Sequence, residues 1–184
     1  MKKEFDVTRL DVQAWVQSGQ TLSRQDAVTS YPRLAEEAQG ALDNLSVCWT
    51  AQGELRTAPG AADEVWLHLQ AQTRLPLTCQ RCLEPLDTAV SSDRWFRFAP
   101  DEAIAAALDD EVDEDVLVLE PEFNLQALVE DELLMSLPLV PRHEVCPVPV
   151  KLAVADPGFE AELDAQRKPF AALAQLRLTP SGEE

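Results

Sequence analysis

The chain of 184 residues is short of basic groups: 15 lysines and arginines stand against 33 aspartates and glutamates, a formal charge of −18. That balance excludes a protein whose whole surface grips nucleic-acid phosphates or anionic lipid. Two histidines and one tyrosine leave little for general acid–base chemistry. The six glycines are scattered singly, so there is no Gly-rich phosphate loop. Four cysteines are too few for a disulfide scaffold; in a reducing compartment they are free thiols, metal ligands or redox groups. No run approaches the roughly 20 apolar residues of a membrane span. Met1-Lys2-Lys3-Glu4-Phe5-Asp6 has no apolar stretch behind it, so no secretory signal is expected and the location expected is cytoplasmic.

What is present is enough for a core. Hydrophobic residues make up 46% of the chain, and a chain of this length hides about 70% of its extended surface on folding. One domain over 1–184 is expected, with an acidic loop at about 100–116 and a less ordered tail at about 147–184. Between Phe98 and Pro141 there are 13 acids and no lysine or arginine. The densest piece holds Asp109, Asp110, Glu111, Asp113, Glu114 and Asp115. Mutual repulsion predicts a solvated loop there. It is either a solubilising surface or a contact for a basic partner such as a ribosomal protein, steered by charge.

Periodicity gives the elements. Short helices are expected at Leu10 to Gln17 and at Pro32 to Gln39. Apolar groups fall on odd positions in Leu45–Ala51 and again in Val65–Ala71, the period of a half-buried strand. Gly53 to Asp63, with Pro59-Gly60, reads as the link between them. Leu86 to Phe98 is a third strand, with Val90, Phe96 and Phe98 on one face and Trp95 on the other; Val116 to Leu119 is a short fourth. A helix starts at Asn124, a good N-cap, and carries Leu125, Leu128, Val129 and Leu133 inward with Glu130, Asp131 and Glu132 mostly facing away. Pro138 and Pro141 stop it. Pro169 to Leu176 is an amphipathic piece of the tail. The order fits an α+β fold: an antiparallel sheet with helices packed on one face and the acidic loop inserted.

Cys79-Gln80-Arg81-Cys82 is a C-x-x-C turn, and His143 and Cys146 repeat the spacing downstream. Two intervening residues let both ligands of a pair face one ion, and three thiolates with one imidazole make a closed tetrahedral zinc site. The pairs lie 61 positions apart, so the fold must bring them together. The other readings are a plain turn with an exposed Pro-flanked loop, or a redox dithiol. A redox dithiol gains its low pKa from a helix N-terminus, whereas Leu83-Glu84-Pro85 and a strand follow here. Cys48 reads as a buried small hydrophobe, and His68 as a surface strand residue. Arg74, Arg81, Arg94 and Arg97 surround the turn with Trp95 beside them; they are ordinary strand residues facing water or a local face for RNA.

Cys79-Gln80-Arg81-Cys82-Leu83-Glu84-Pro85-Leu86 resembles the signature turn of the bacterial YceD family. So does the ordered segment from Leu128-Val129-Glu130-Asp131-Glu132-Leu133-Leu134 through Leu137-Pro138 to Pro141-Arg142-His143, and Lys168 to Leu173 is similar to the end of proteobacterial members. The likeness runs over about residues 45–178. The resemblance implies a role in the synthesis, processing or stability of large-subunit (23S) ribosomal RNA, and no known reaction. A non-enzymatic ribosome-biogenesis factor is therefore expected, meeting that RNA or its precursor particles directly or through a basic ribosomal protein, with no membrane partner. One structural zinc is the cofactor the residues allow. The enzymatic alternatives are a thiol oxidoreductase or a metal-dependent RNA-processing enzyme, for which no spacing of the acids speaks.

Overall fold

The structure, a computed structural model, describes residues 4–57, 63–109, 111–150 and 154. The chain divides into two units, Met1–Val148 and Pro149–Glu184; the fold below is that of the first. The amphipathic piece from Pro169 and nearly all of the expected tail lie outside the described residues.

The elements run α1 (Val12–Ser18), β1 (Leu22–Ala27), a 3₁₀ turn (Val28–Ser30), α2 (Pro32–Glu37), β2 (Ser46–Arg56), β3 (Glu64–Thr78), β4 (Pro85–Ala99), α3 (Glu102–Asp109), β5 (Asp115–Val118) and α4 (Leu125–Met135). The five strands lie in one sheet in sequence order. β1 to β4 pair antiparallel. β5 pairs parallel to β4, because α3 carries the chain back before it re-enters the sheet, the crossover a parallel pair requires. The α+β class holds, with a sheet that is mostly antiparallel.

Period two decides which face each residue joins. Val47, Trp49 and Ala51 of β2, Leu67, Leu69, Ala71, Leu75 and Leu77 of β3, and Val90, Phe96 and Phe98 of β4 share one face. Val12, Trp15 and Val16 of α1, Leu34 of α2, and Leu125, Val129 and Leu133 of α4 join them in the core. Gly53 faces the same way, and a Cβ there would meet Val16 Cγ2 at 2.5 Å. The missing side chain is what lets α1 lie close on β2.

Local signals set the helix ends. Asp11 caps α1 by accepting the Ala14 N–H, and Gly19 ends it at φ 63°. Asn124 caps α4 by accepting the Ala127 N–H at 3.0 Å.

Two expectations need correction. The acidic stretch is not one loop over about 100–116. Glu102-Ala103-Ile104-Ala105-Ala106-Ala107-Leu108-Asp109 is a run of helix formers, and the Asp101 carboxylate accepts the Ile104 N–H at 2.9 Å. Helical hydrogen bonding wins over charge repulsion there, and β5 takes up at Asp115. Nor do the acids of α4 all face away: Glu130 and Glu132 are buried, at 6% and 7% exposure. Glu130 accepts the backbone N–H groups of Arg33 and Leu34 at 2.7 and 3.2 Å, capping α2, and takes the Arg33 guanidinium at 2.8–3.0 Å. Glu132 accepts the Ser92 hydroxyl at 2.8 Å. Both carboxylates are buried because they are hydrogen-bonded there. Asp131 keeps to the surface, paired with Arg33.

β1 escapes the period-two reading because it is an edge strand with only Leu22 buried. Its Asp26 matters nonetheless. The carboxylate accepts both the Tyr31 hydroxyl at 2.9 Å and the Trp49 indole N–H at 3.0 Å. Burial, then Asp26, push the Tyr31 phenol above its ordinary pKa. A raised folded pKa means that the stability from neutral Tyr31 is whole below the unfolded value of about 10 and is lost as pH climbs past it. Tyr31 is the one tyrosine, so its ultraviolet titration reads this site alone. We expect no ionisation of the folded chain near pH 10 and a tyrosinate signal that rises together with loss of circular dichroism; a normal titration preceding unfolding would refute the site.

Candidate metal centre

The β3–β4 hairpin ends in the C-x-x-C turn. Cys79 N–H bonds the Glu84 carbonyl at 3.0 Å and Leu83 N–H bonds the Cys79 carbonyl at 2.8 Å, a tight closure. Leu83 takes φ 64°, a region that disfavours a side chain. It holds because those two bonds fix the turn. After α4, the proline-broken segment returns to this tip, where Gln80 N–H bonds the Pro141 carbonyl at 2.8 Å. His143 and Cys146 are thereby delivered beside Cys79 and Cys82.

The four ligand atoms lie within 4.8 Å of one another. Cys82 Sγ is 3.4 Å from His143 Nδ1, and the His143 backbone N–H points at Cys79 Sγ, also at 3.4 Å. A tetrahedron with metal–sulfur bonds of about 2.3 Å has edges of about 3.8 Å, so the spacing fits an ion at the centre. Cys79 is fully buried and the others half-buried. Burial opposes ionisation of Cys79, but the backbone N–H groups of His143, Cys82 and Arg81 and the Cys82 thiol bring its pKa down to about 5. Cys82 is pushed up, first by burial and then by its neighbours Cys79 and Cys146. Three thiolates crowd one another unless a cation sits among them. These residues could hold a metal ion; among the described residues they are the one such group.

The five residues considered for RNA divide between three places. Arg74, Trp95 and Arg97 lie on the sheet face away from the core, each arginine paired, with Asp87 at 2.6 Å and with Glu64 at 2.6 Å. Arg94 lies on the opposite face, where it pairs with Asp115 and stands 4.0 Å from Glu132. Arg81 is exposed on the turn, with no ion pair among the described residues. They form no single basic patch. Cys48 is not a core residue: register puts it on the open face, half-buried, between Gln25 and Gln72. His68 is on that face too, stacked on Trp95 and 2.6 Å from Asp93.

Of the acids considered for partner contact, Glu111, Asp113 and Glu114 are exposed, Asp109 ends α3, Asp115 is tied to Arg94, and Asp110 lies outside the described residues. Sequence reading missed Arg56 and Trp66 on the open face. Both sit at even positions, the parity of His68, which was the available signal.

The family model described as "Large ribosomal RNA subunit accumulation protein YceD" matches residues 67–177, a stretch that takes in both ligand pairs. The chain belongs to the YceD family. A member from Haemophilus influenzae (strain ATCC 51907 / DSM 11121 / KW20 / Rd), named large ribosomal RNA subunit accumulation protein YceD, is 36% identical over 117 residues, which are 59% of this chain and 63% of that protein. The chain thus spans less than two thirds of that relative's length. No solved structure matches. Among the described residues no helix is long and apolar enough to cross a membrane.

Thiol chemistry tests the cluster. In metal-loaded protein Cys48 should react alone with a thiol reagent, and Cys79, Cys82 and Cys146 should join it together once a chelator is added. Four independent rates, unchanged by chelator, would show that the three do not share an ion.

Proposed function

We propose that this YceD protein sustains large-subunit ribosomal RNA as a non-catalytic binding protein, with one structural zinc in the Cys79–Cys82–His143–Cys146 cluster. Family membership carries the reading: the relative from Haemophilus influenzae bears that role in its name. The donor set supports the structural assignment. Four protein ligands complete a tetrahedron and leave no open position for water or substrate, whereas catalytic zinc keeps one. The tension with a charge of −18 is met if the protein binds RNA over a limited face rather than through its whole surface.

The test is a sucrose-gradient profile of cells lacking the gene, with both ribosomal RNAs quantified. Large-subunit RNA should fall relative to small-subunit RNA and recover with the intact gene. An unchanged ratio under fast growth and in the cold would refute the role. Purified protein should hold equimolar zinc, and Cys82→Ser should lose it.

The acidic segment favours a second contact, with a basic ribosomal protein. Glu111, Asp113 and Glu114 are exposed and without an ion pair among the described residues, and their field is screened over about 10 Å at 0.1 M salt. Changing the three to Gln, Asn and Gln should slow association at low salt and leave the rate at high salt alone. An on-rate untouched at low salt would count against this contact.

A further inference from the structure

The sheet face away from the helices is polar, and it carries the features that fit single-stranded RNA. Thr50, Gln70, Gln72 and Ser91 line a shallow trough of about 670 Å³ across β2, β3 and β4. At one end stands a ladder of planar groups. His68 and Trp95 stack with centroids 4.4 Å apart and planes 6° from parallel. The Arg56 guanidinium lies 4.0 Å from the Trp66 ring and 4.5 Å from the Trp95 ring. Trp66 is covered, but Trp95 stays 36% exposed. The ladder is a platform of planar groups, and a base can join it on Trp95 once the Arg56 guanidinium swings off that ring. Beside it, the Gln70 and Gln72 amides offer donors and acceptors to base edges.

Charge points to the same occupant. Each arginine of the face on β2, β3 and β4 has an acid, Arg56 with Glu54, Arg74 with Asp87 and Arg97 with Glu64; Arg24 of β1 also lines the trough. Asp93 is engaged by His68 and Gln70. The face is close to neutral in a chain of −18. A polyanion meets little net repulsion from the side chains there. Arg56, joined to Glu54 at 3.1 Å on a surface strand, can turn to a phosphate or a base without leaving a buried charge behind.

We propose that the open face of β2–β4 binds single-stranded RNA by base stacking on Trp95 and hydrogen bonding along the Gln70–Gln72 trough. This deepens the RNA-accumulation role proposed above and rests on it. The contact is centred on bases, so its dependence on salt is shallow.

The experiment uses the full chain and a labelled single-stranded RNA of roughly ten nucleotides, within the site sizes of such modules. Anisotropy reports binding and tryptophan quenching reports stacking. Trp95→Ala should weaken binding about tenfold, Trp95→Phe should keep most of it, and a duplex of the same sequence should compete poorly. Gln72→Glu, an exposed change with no packing to lose, should also weaken binding, while the same change at Gln13, exposed on α1 across the sheet, should not. Absence of binding by the unaltered protein, or equal affinity in Trp95→Ala and Gln72→Glu, overturns the inference. So does a protein segment, rather than RNA, crosslinked to this face in precursor particles. The gradient experiment separates the two claims. Restoration of large-subunit RNA by a Trp95→Ala and Gln72→Glu double variant would sink the face and leave the role standing. A deletion without effect on that RNA would sink the role.

Discussion

The β3–β4 hairpin is the constraint on which the rest depends. Its strands are 15 residues each and pair along their whole length. At about 3.4 Å per residue such a ribbon runs near 50 Å, farther than one small core can cover. The middle holds the core on one face, with α4 packed over β3 and β4. The tip projects the C-x-x-C turn, and the opposite face at the other end holds the His68–Trp95 ladder. Strict alternation keeps these functions apart: a slip of one residue would turn Leu67 and Leu69 to water and bring His68 and Gln70 inward. Registry is therefore fixed by the core, and both candidate sites inherit it.

Charge is segregated by the same logic. The chain carries many acids, yet those that enter the interior each have a hydrogen-bonded task. Asp26 ties Tyr31 and Trp49 together, Glu130 caps α2 and holds Arg33, and Glu132 holds Ser92. Removing one partner of such a buried group costs on the order of 1–3 kcal/mol, since the desolvation of the other is left uncompensated. Surface pairs such as Arg74–Asp87, with both side chains 64% exposed, contribute far less. Glu111, Asp113 and Glu114, between α3 and β5, stay in water, where their repulsion is screened.

Sequence was most informative where one period ran unbroken. Odd positions in Val65–Ala71 and even positions in Leu86–Phe98 named the core faces of β3 and β4, and Asn124 named the start of α4 to the residue. It was least informative where tertiary partners override a local rule. Glu130 and Glu132 looked solvated because their partners, Arg33 and Ser92, lie 97 and 40 residues away. β1 has no alternation because an edge strand need bury little. Residues at about 100–116 read as one loop because repulsion was weighed and the helix propensity of Glu102 to Asp109 was not. The metal cluster was legible as two spaced pairs; that they meet depended on the Gln80–Pro141 hydrogen bond, which no spacing foretells. The arginines around the turn misled because nearness in sequence along a strand says nothing of face: Arg94 and Trp95 point to opposite sides.

The two ligand pairs lie 61 positions apart, but they do not close a free loop of that length. β4, α3, β5 and α4 fill the interval, and the core has already met the entropy of ordering them. What an ion held there would add is local. It would fasten the segment after Ser136, whose Leu139 and Val145 are 96% and 86% exposed and so gain almost nothing from burial, to a turn in which Leu83 holds an unfavourable φ. With few apolar contacts of its own, that segment relies on the Gln80–Pro141 bond and on the ligands. Loss of an ion held there would therefore release the segment and relax the turn while leaving the sheet folded, because the strands owe their pairing to the core on the other side of the hairpin and not to its tip.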